Sequence, residues 1–260
     1  MDAFDPLHIG LLGLCFLAAA AFFAGLIDSV AGGGGLISLP ATLLAGVPPQ
    51  MALGTGKFMA SMGTAASFLT YARSGVVAWR VAAVGAGFSL IGSILGSRTV
   101  LFIDNAVLGK VILVLLPLAA LLTFMPIRSP REGKSVGTFA LYAVTPLLCA
   151  CIGFYDGFFG PGTGSFMLLG LHCLLGLGLV TSSATAKAFN LASNVSSLIV
   201  FIVSGKIYYF AALPMALANV AGNIVGSRLA LRKGPTVIRR MLFVSLGLLF
   251  ISLVWRYTRG

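Results

Sequence analysis

Two stretches of this chain interrupt membrane-length apolar sequence in the same way, with an aspartate, a broken run of glycines and then a lysine. The first reads Gly25-Leu26-Ile27-Asp28-Ser29-Val30-Ala31-Gly32-Gly33-Gly34-Gly35, with Lys57 farther on. The second reads Gly153-Phe154-Tyr155-Asp156-Gly157-Phe158-Phe159-Gly160-Pro161-Gly162-Thr163-Gly164, with Lys187 farther on. Each glycine costs a helix about 1 kcal/mol relative to alanine, so both runs predict breaks. Unwound backbone survives at membrane depth only where protein buries it or a hydrated cavity lines it. Corresponding breaks in two halves of a membrane protein are the best sequence pointer to a transporter's substrate site.

Composition sets the class. Hydrophobic residues make up 58% of the 260 and charged residues 9%, with a mean hydropathy of +1.05. Soluble domains average about 25% charged residues, which excludes an ordinary globular protein. Apolar stretches long enough to cross a bilayer as helices recur along the chain, and the alternation of a membrane barrel is missing. The expected fold is an all-α polytopic membrane protein. Residues 9–27 follow acidic Asp2 and Asp5 and are too long for a signal-peptide core, so they read as a membrane helix. The net charge of +11 is scattered over helix ends, where basic residues set topology and meet anionic lipid rather than nucleic acid. Cys15, Cys149, Cys151 and Cys173 lie in apolar runs without metal or redox spacing.

Spans are expected near 9–30, 51–72, 79–98, 105–126, 137–156, 183–204, 208–228 and 238–256, with shorter apolar pieces at 36–46 and 165–176. Polar residues 127–136 form the linker between a first repeat, 1–126, and a second, 137–260. An offset of 130 pairs Gly46 with Gly176, Thr55 with Thr185, Lys57 with Lys187, Ser67 with Ser197 and Arg98 with Arg228. Upstream, an offset of 128 pairs Gly25 with Gly153, Asp28 with Asp156, Gly32 with Gly160 and Gly34 with Gly162. Each repeat thus holds about four membrane helices and one short broken helix.

The short pieces decide whether the repeats are inverted. A helix over 36–46 rises about 17 Å and four extended glycines add roughly 13 Å. Together they match the roughly 30 Å hydrocarbon core. Ten crossings then place ten Lys and Arg residues on one face against five on the other, leaving out Lys57 and Lys187. Eight crossings, with the short pieces as re-entrant hairpins, split them 8 to 7. Positive charge concentrates on one face of a membrane protein, so inversion is favoured.

Helices resuming near Leu36 and Ser165 would aim free N–H groups into a cavity, and a helix N-terminus is an anion site. The candidate contacts are Gly32, Gly33, Gly34 and Gly35 from the first break and Gly160, Gly162, Thr163, Gly164 and Ser165 from the second. Close helix packing or plain surface loops are the structural alternatives. Lys57 and Lys187 lie about six residues inside their spans, where a cation costs about 2.5–3.5 kcal/mol. One Lys–Asp pair in each half, using Asp28 and Asp156, would neutralise that cost. The lysines could equally contact an anion, with the aspartates positioning them or carrying a coupling ion, a proton or another. Asn190 and Asn194 share the helix face of Lys187, and Ser61 and Thr64 follow Lys57 similarly. Such a line suits a hydrated site or interhelical hydrogen bonds. Gly54-Thr55-Gly56-Lys57 fails as a nucleotide-binding loop because Phe58 follows the lysine and Met51 replaces the leading glycine. No catalytic triad, metal cluster or cofactor motif is present, so an enzyme has little support.

At these motifs, with Ala186-Lys187, Asn190 and Ser193-Asn194, the chain resembles the TauE/SafE sulfite exporter family, also called toluene-sulfonate uptake permeases. The likeness covers nearly the whole chain, through Gly226-Ser227-Arg228. It implies a multi-pass secondary transporter of sulfite, sulfoacetate or related sulfonates in a bacterial inner membrane. The expected mechanism is alternating access around a small anion. A passive anion channel and a membrane-embedded enzyme are the alternatives. Gly164-Ser165 stands where the first repeat has Leu36-Ile37, so the two half-sites are not equivalent.

Overall fold

The computed structural model describes residues 9–123, 136–238 and 240. Nine α-helices are resolved among them: α1 Leu11–Ala31, α2 Gly35–Leu44, α3 Pro49–Arg73, α4 Trp79–Leu101, α5 Asn105–Thr123, α6 Thr145–Phe158, α7 Thr163–Leu175, α8 Leu179–Val203 and α9 Tyr209–Lys233. A π-helical turn, Ala140–Val144, leads into α6. The class is all-α, and α1, α4, the Ala140–Phe158 segment, α8 and α9 have the length and hydropathy to cross a membrane. Helix α3 is as long as α8 but less apolar, because Lys57 and a buried series of Gly, Ser and Thr residues line it. The expected span 238–256 and linker 127–136 fall almost wholly outside the described residues.

Local chemistry sets the boundaries. Gly46 and Gly176 take positive φ, 85° and 72°, directly after α2 and α7. That left-handed geometry ends each short helix and lets α3 and α8 begin a few residues later. The four glycines of the first break are not extended as expected. Only Gly32, Gly33 and Gly34 lie outside helix, and Gly34 already has helical angles. The chain turns back there: a Cβ on Gly34 would lie 2.6 Å from the Ala24 carbonyl and 2.8 Å from Asp28 Cβ.

Small residues bring the helices together. Gly222 and Gly226 of α9 face the α1 backbone at Phe22 and Leu26, and Gly92 and Gly96 of α4 face α6 at Ala150 and Phe154. A side chain at any of these four glycines would strike a main-chain carbonyl, the packing that small-xxx-small spacing permits. The order of these contacts makes α1 parallel to α9 and α4 parallel to α6. Helices α3 and α8 run antiparallel. The Tyr208 N–H, beyond the end of α8, donates to Thr55 Oγ1 near the start of α3 at 3.0 Å. The Ala78 N–H, beyond the end of α3, donates to Thr185 Oγ1 near the start of α8 at 3.1 Å. Lys57 and Lys187 each stand eight residues from the start of their helix, so they enter the fold from opposite ends, about 12 Å deep.

Candidate functional site

The end of α1 is assembled by other helices. The last carbonyls of a helix have no intrahelical partner, and here side chains supply four of them. Lys187 Nζ of α8 bonds the Asp28 carbonyl and Tyr71 Oη of α3 donates to Ser29 O at 2.8 Å. Ser183 Oγ of α8 donates to Val30 O at 2.8 Å, and Ser165 Oγ of α7 donates to Ala31 O at 2.9 Å. The break that follows crosses the second break backbone to backbone. Gly32, with φ 76°, packs against Gly164 and the Ser165 amide, and a Cβ on Gly164 would lie 2.7 Å from Gly32 Cα. The second break is braced internally, since Tyr155 Oη donates to Pro161 O at 2.6 Å and Thr163 Oγ1 to Gly160 O at 2.7 Å.

The lysines and aspartates pair, but across the halves rather than within each half as the sequence suggested. Lys57 Nζ lies 2.9 Å from Asp156 Oδ2, and Lys187 Nζ lies 2.8 Å from Asp28 Oδ2. The reason is packing: α6 runs along α4 and α1 along α9, which carries each aspartate beside the other half's lysine helix. Lys57 also donates to Asn194 Oδ1 at 3.0 Å, and Ser193 Oγ donates to Asp156 Oδ2 at 2.5 Å. All four charges are thereby neutralised in pairs, and neither lysine is left without a carboxylate.

A cavity of about 70 Å³ opens between the two breaks. One buried water needs roughly 10–15 Å³ on such a measure, so a few waters or one small oxyanion fit. Of the expected residues, Gly33, Gly34, Gly35, Lys57, Gly160, Gly162, Thr163, Gly164, Asn190 and Asn194 line it, as do Asp28 and Asp156. Gly32, Ser165 and Lys187 do not: the first two form the joint between breaks, and Lys187 is 1% exposed behind Asp28. Ser38 of α2 and Asn219 of α9 line the cavity without having been anticipated. Asn219 did carry a signal, because Asn223 follows one turn later and paired amides in an apolar span are costly. Arg98 and Arg228, which ended expected spans, are exposed and do not line this cavity.

The N-termini of α2 and α7, capped by Gly34 and Gly162, both face this space. Each helix N-terminus carries about half a positive charge. With the side-chain charges cancelling in pairs, the N–H groups of these two helix ends supply local positive potential where they line the cavity. Asn190, Asn194 and Asn219 add amide groups at the wall. Chemically the arrangement can hold a small anion reversibly. Among the described residues no cluster of His, Cys, Asp or Glu could bind a metal ion, and the four cysteines are free.

The family model described as sulfite exporter TauE/SafE matches residues 17–253. The chain belongs to that family. A Sinorhizobium protein named probable membrane transporter protein ORF9 is 40% identical over 231 residues, 89% of this chain and 88% of the relative. A probable membrane transporter protein of Haemophilus influenzae is 36% identical over 239 residues, 92% of this chain and 93% of the relative. The Escherichia coli probable membrane transporter protein YfcA is 34% identical over 249 residues, 94% of this chain and 91% of the relative. No solved structure matches the chain. With this membership and its apolar helices, it is a multi-pass membrane transporter.

Proposed function

We propose that this family member is a secondary transporter of small anions, sulfur oxyanions or organosulfonates such as sulfite and sulfoacetate, working by alternating access in a bacterial inner membrane. The observation that carries the proposal is the convergence of two half-helix N-termini, from α2 and α7, on one cavity beside Lys57. Half-helix N-termini near the midplane hold anionic groups in transporters built from repeats. The ion pairs supply no surplus charge, so the helix ends and amides meet the anion, and Lys57 contacts it while shared with Asp156.

In this reading the two halves are inverted repeats, 1–126 and 137–260. The antiparallel course of α3 and α8 supports inversion, as does the uneven charge count of the loops. Inverted halves that exchange roles would open the cavity to one face at a time. The backbone contact of Gly32 with Gly164 and Ser165 favours a carrier over a passive channel, because the two breaks touch there and leave no open path at that point. The driving force is an ion gradient, and nothing in the motif binds nucleotide.

Counterflow tests the proposal. Proteoliposomes loaded with unlabelled sulfite or sulfoacetate should transiently accumulate the labelled anion, and the overshoot should vanish in Lys57→Ala. Flat traces with both anions for the unmodified protein would exclude this substrate class.

A further inference from the structure

The two ion pairs differ in a way their matched positions conceal. Asp156 Oδ2 receives two donors, Lys57 Nζ at 2.9 Å and Ser193 Oγ at 2.5 Å, and its side chain is 4% exposed. Among the described residues Asp28 Oδ2 receives Lys187 alone, at 2.8 Å, and its side chain is 22% exposed. The position that the 130 offset matches to Ser193 is Gly63, which brings no donor. Lys187 has a second acceptor, the main-chain carbonyl of Asp28. That carbonyl belongs to the negative end of α1, where a cation is favoured, and it remains an acceptor whatever the state of the carboxylate.

We propose that Asp28 is the proton-binding carboxylate that couples anion movement to proton movement, and that Asp156 is a fixed counter-ion for Lys57. The inference rests on the anion-transport reading above. An anion between the two helix N-termini adds negative charge beside Asp28, and a neighbouring like charge favours the neutral form of a carboxylate. A proton from water at the open face then adds to the carboxylate of Asp28. Lys187 keeps its bond to the Asp28 carbonyl, and the anion becomes its counter-charge. One proton and one monovalent anion leave the net charge of the loaded site equal to that of the empty one. Among the described residues the charged groups around Asp28 are Lys187 of α8, Lys57 of α3 and Asp156 of α6. Tyr71 of α3 directs its hydroxyl to Ser29 O. Helices α2, α7 and α9 bring Ser38, Leu39, Thr163, Gly164 and Asn219 to the cavity, none of them charged.

The test uses proteoliposomes containing a trapped pH dye, with an imposed pH difference and labelled sulfite; protein-free liposomes give the passive leak. The unmodified protein should accumulate sulfite roughly tenfold per pH unit for one proton per monovalent anion, with dye-reported proton entry. The charge-neutral double variant Asp28→Asn/Lys187→Gln strands no buried charge. Its remaining flux should lose both the proton signal and the pH-driven accumulation. Asp28→Glu, which keeps a carboxylate, should retain both. Asp156→Asn/Lys57→Gln, which unlike Lys57→Ala leaves no unpaired carboxylate beside the anion site, should slow transport while the residual flux still carries protons in the original ratio. Flat counterflow by the unmodified protein would remove the transport reading itself. Counterflow without proton entry would overturn this inference alone. So would proton entry that survives Asp28→Asn/Lys187→Gln, or that fails only in Asp156→Asn/Lys57→Gln.

Discussion

Removing charges in chosen combinations separates pairing across the halves from pairing within each half. Lys57→Met leaves Asp156 charged at 4% side-chain exposure, with Ser193 as its remaining donor. Stranding one member of a buried pair costs about 3–5 kcal/mol. Asp28→Asn strands Lys187, but that lysine keeps the Asp28 carbonyl, so the loss should fall near the lower end, about 3 kcal/mol. Lys57→Met/Asp156→Asn removes both charges of one pair, and replacing a whole buried pair by neutral groups is often close to neutral. That double variant should therefore recover most of what Lys57→Met loses. Lys57→Met/Asp28→Asn strands Asp156 and Lys187 together, so its losses should add to roughly 6–8 kcal/mol. A loss of that size is a large fraction of the 5–15 kcal/mol that stabilises a typical domain, and folded yield should collapse. Reversible unfolding of the purified protein in mixed micelles, with monodisperse yield for the weakest variants, gives the order. If Lys57→Met/Asp28→Asn is the combination that recovers, pairing lies within the halves and the crossed arrangement is refuted.

Gly32→Ala should reach the membrane yet lose anion counterflow, because its Cβ would meet the Gly164 and Ser165 backbone at a φ of 76°; full flux at matched membrane yield would show that the joint between the breaks is dispensable. Gly92→Leu and Gly222→Leu should instead lower folded yield together, since each side chain would strike a carbonyl of the neighbouring helix, at Ala150 or Phe22. Single cysteines replacing exposed Ser74 and Ser204, in a background without the native cysteines, should label from opposite faces of the membrane. Labelling from the same face would rule out inverted repeats.

The helical class followed from the sequence because membrane insertion depends on residue type summed over a span, which a chain displays without folding. Both breaks were legible for a similar reason: glycine's cost to a helix is local, and α1 ends at Ala31 and α6 at Phe158, close to the expected positions. The four charged residues stood out because each is expensive at membrane depth. Who partners whom was not legible. An isolated motif shows Asp28 and Lys57 in one half, yet the pairs form only after α1 docks on α9 and α6 docks on α4.

The same holds for the finer parts of the site. Gly32 and Ser165 have the same local chemistry as the residues around them, and only the crossing of the two breaks turned them into a joint rather than a cavity wall. Asn219 lies far along the chain from every motif, and the parallel course of α3 and α9 brought it to the lining. The difference between Asp28 and Asp156 came from Ser193 standing where Gly63 stands in the other half, and from the carbonyl that Lys187 shares with Asp28. Periodicity, propensity and charge cost are properties of a segment, so the sequence by itself determined what kind of protein this is and where its helices fail. Ion pairing, burial and cavity shape depend on which distant segments meet, so only the tertiary structure decided how the two halves complete each other's site.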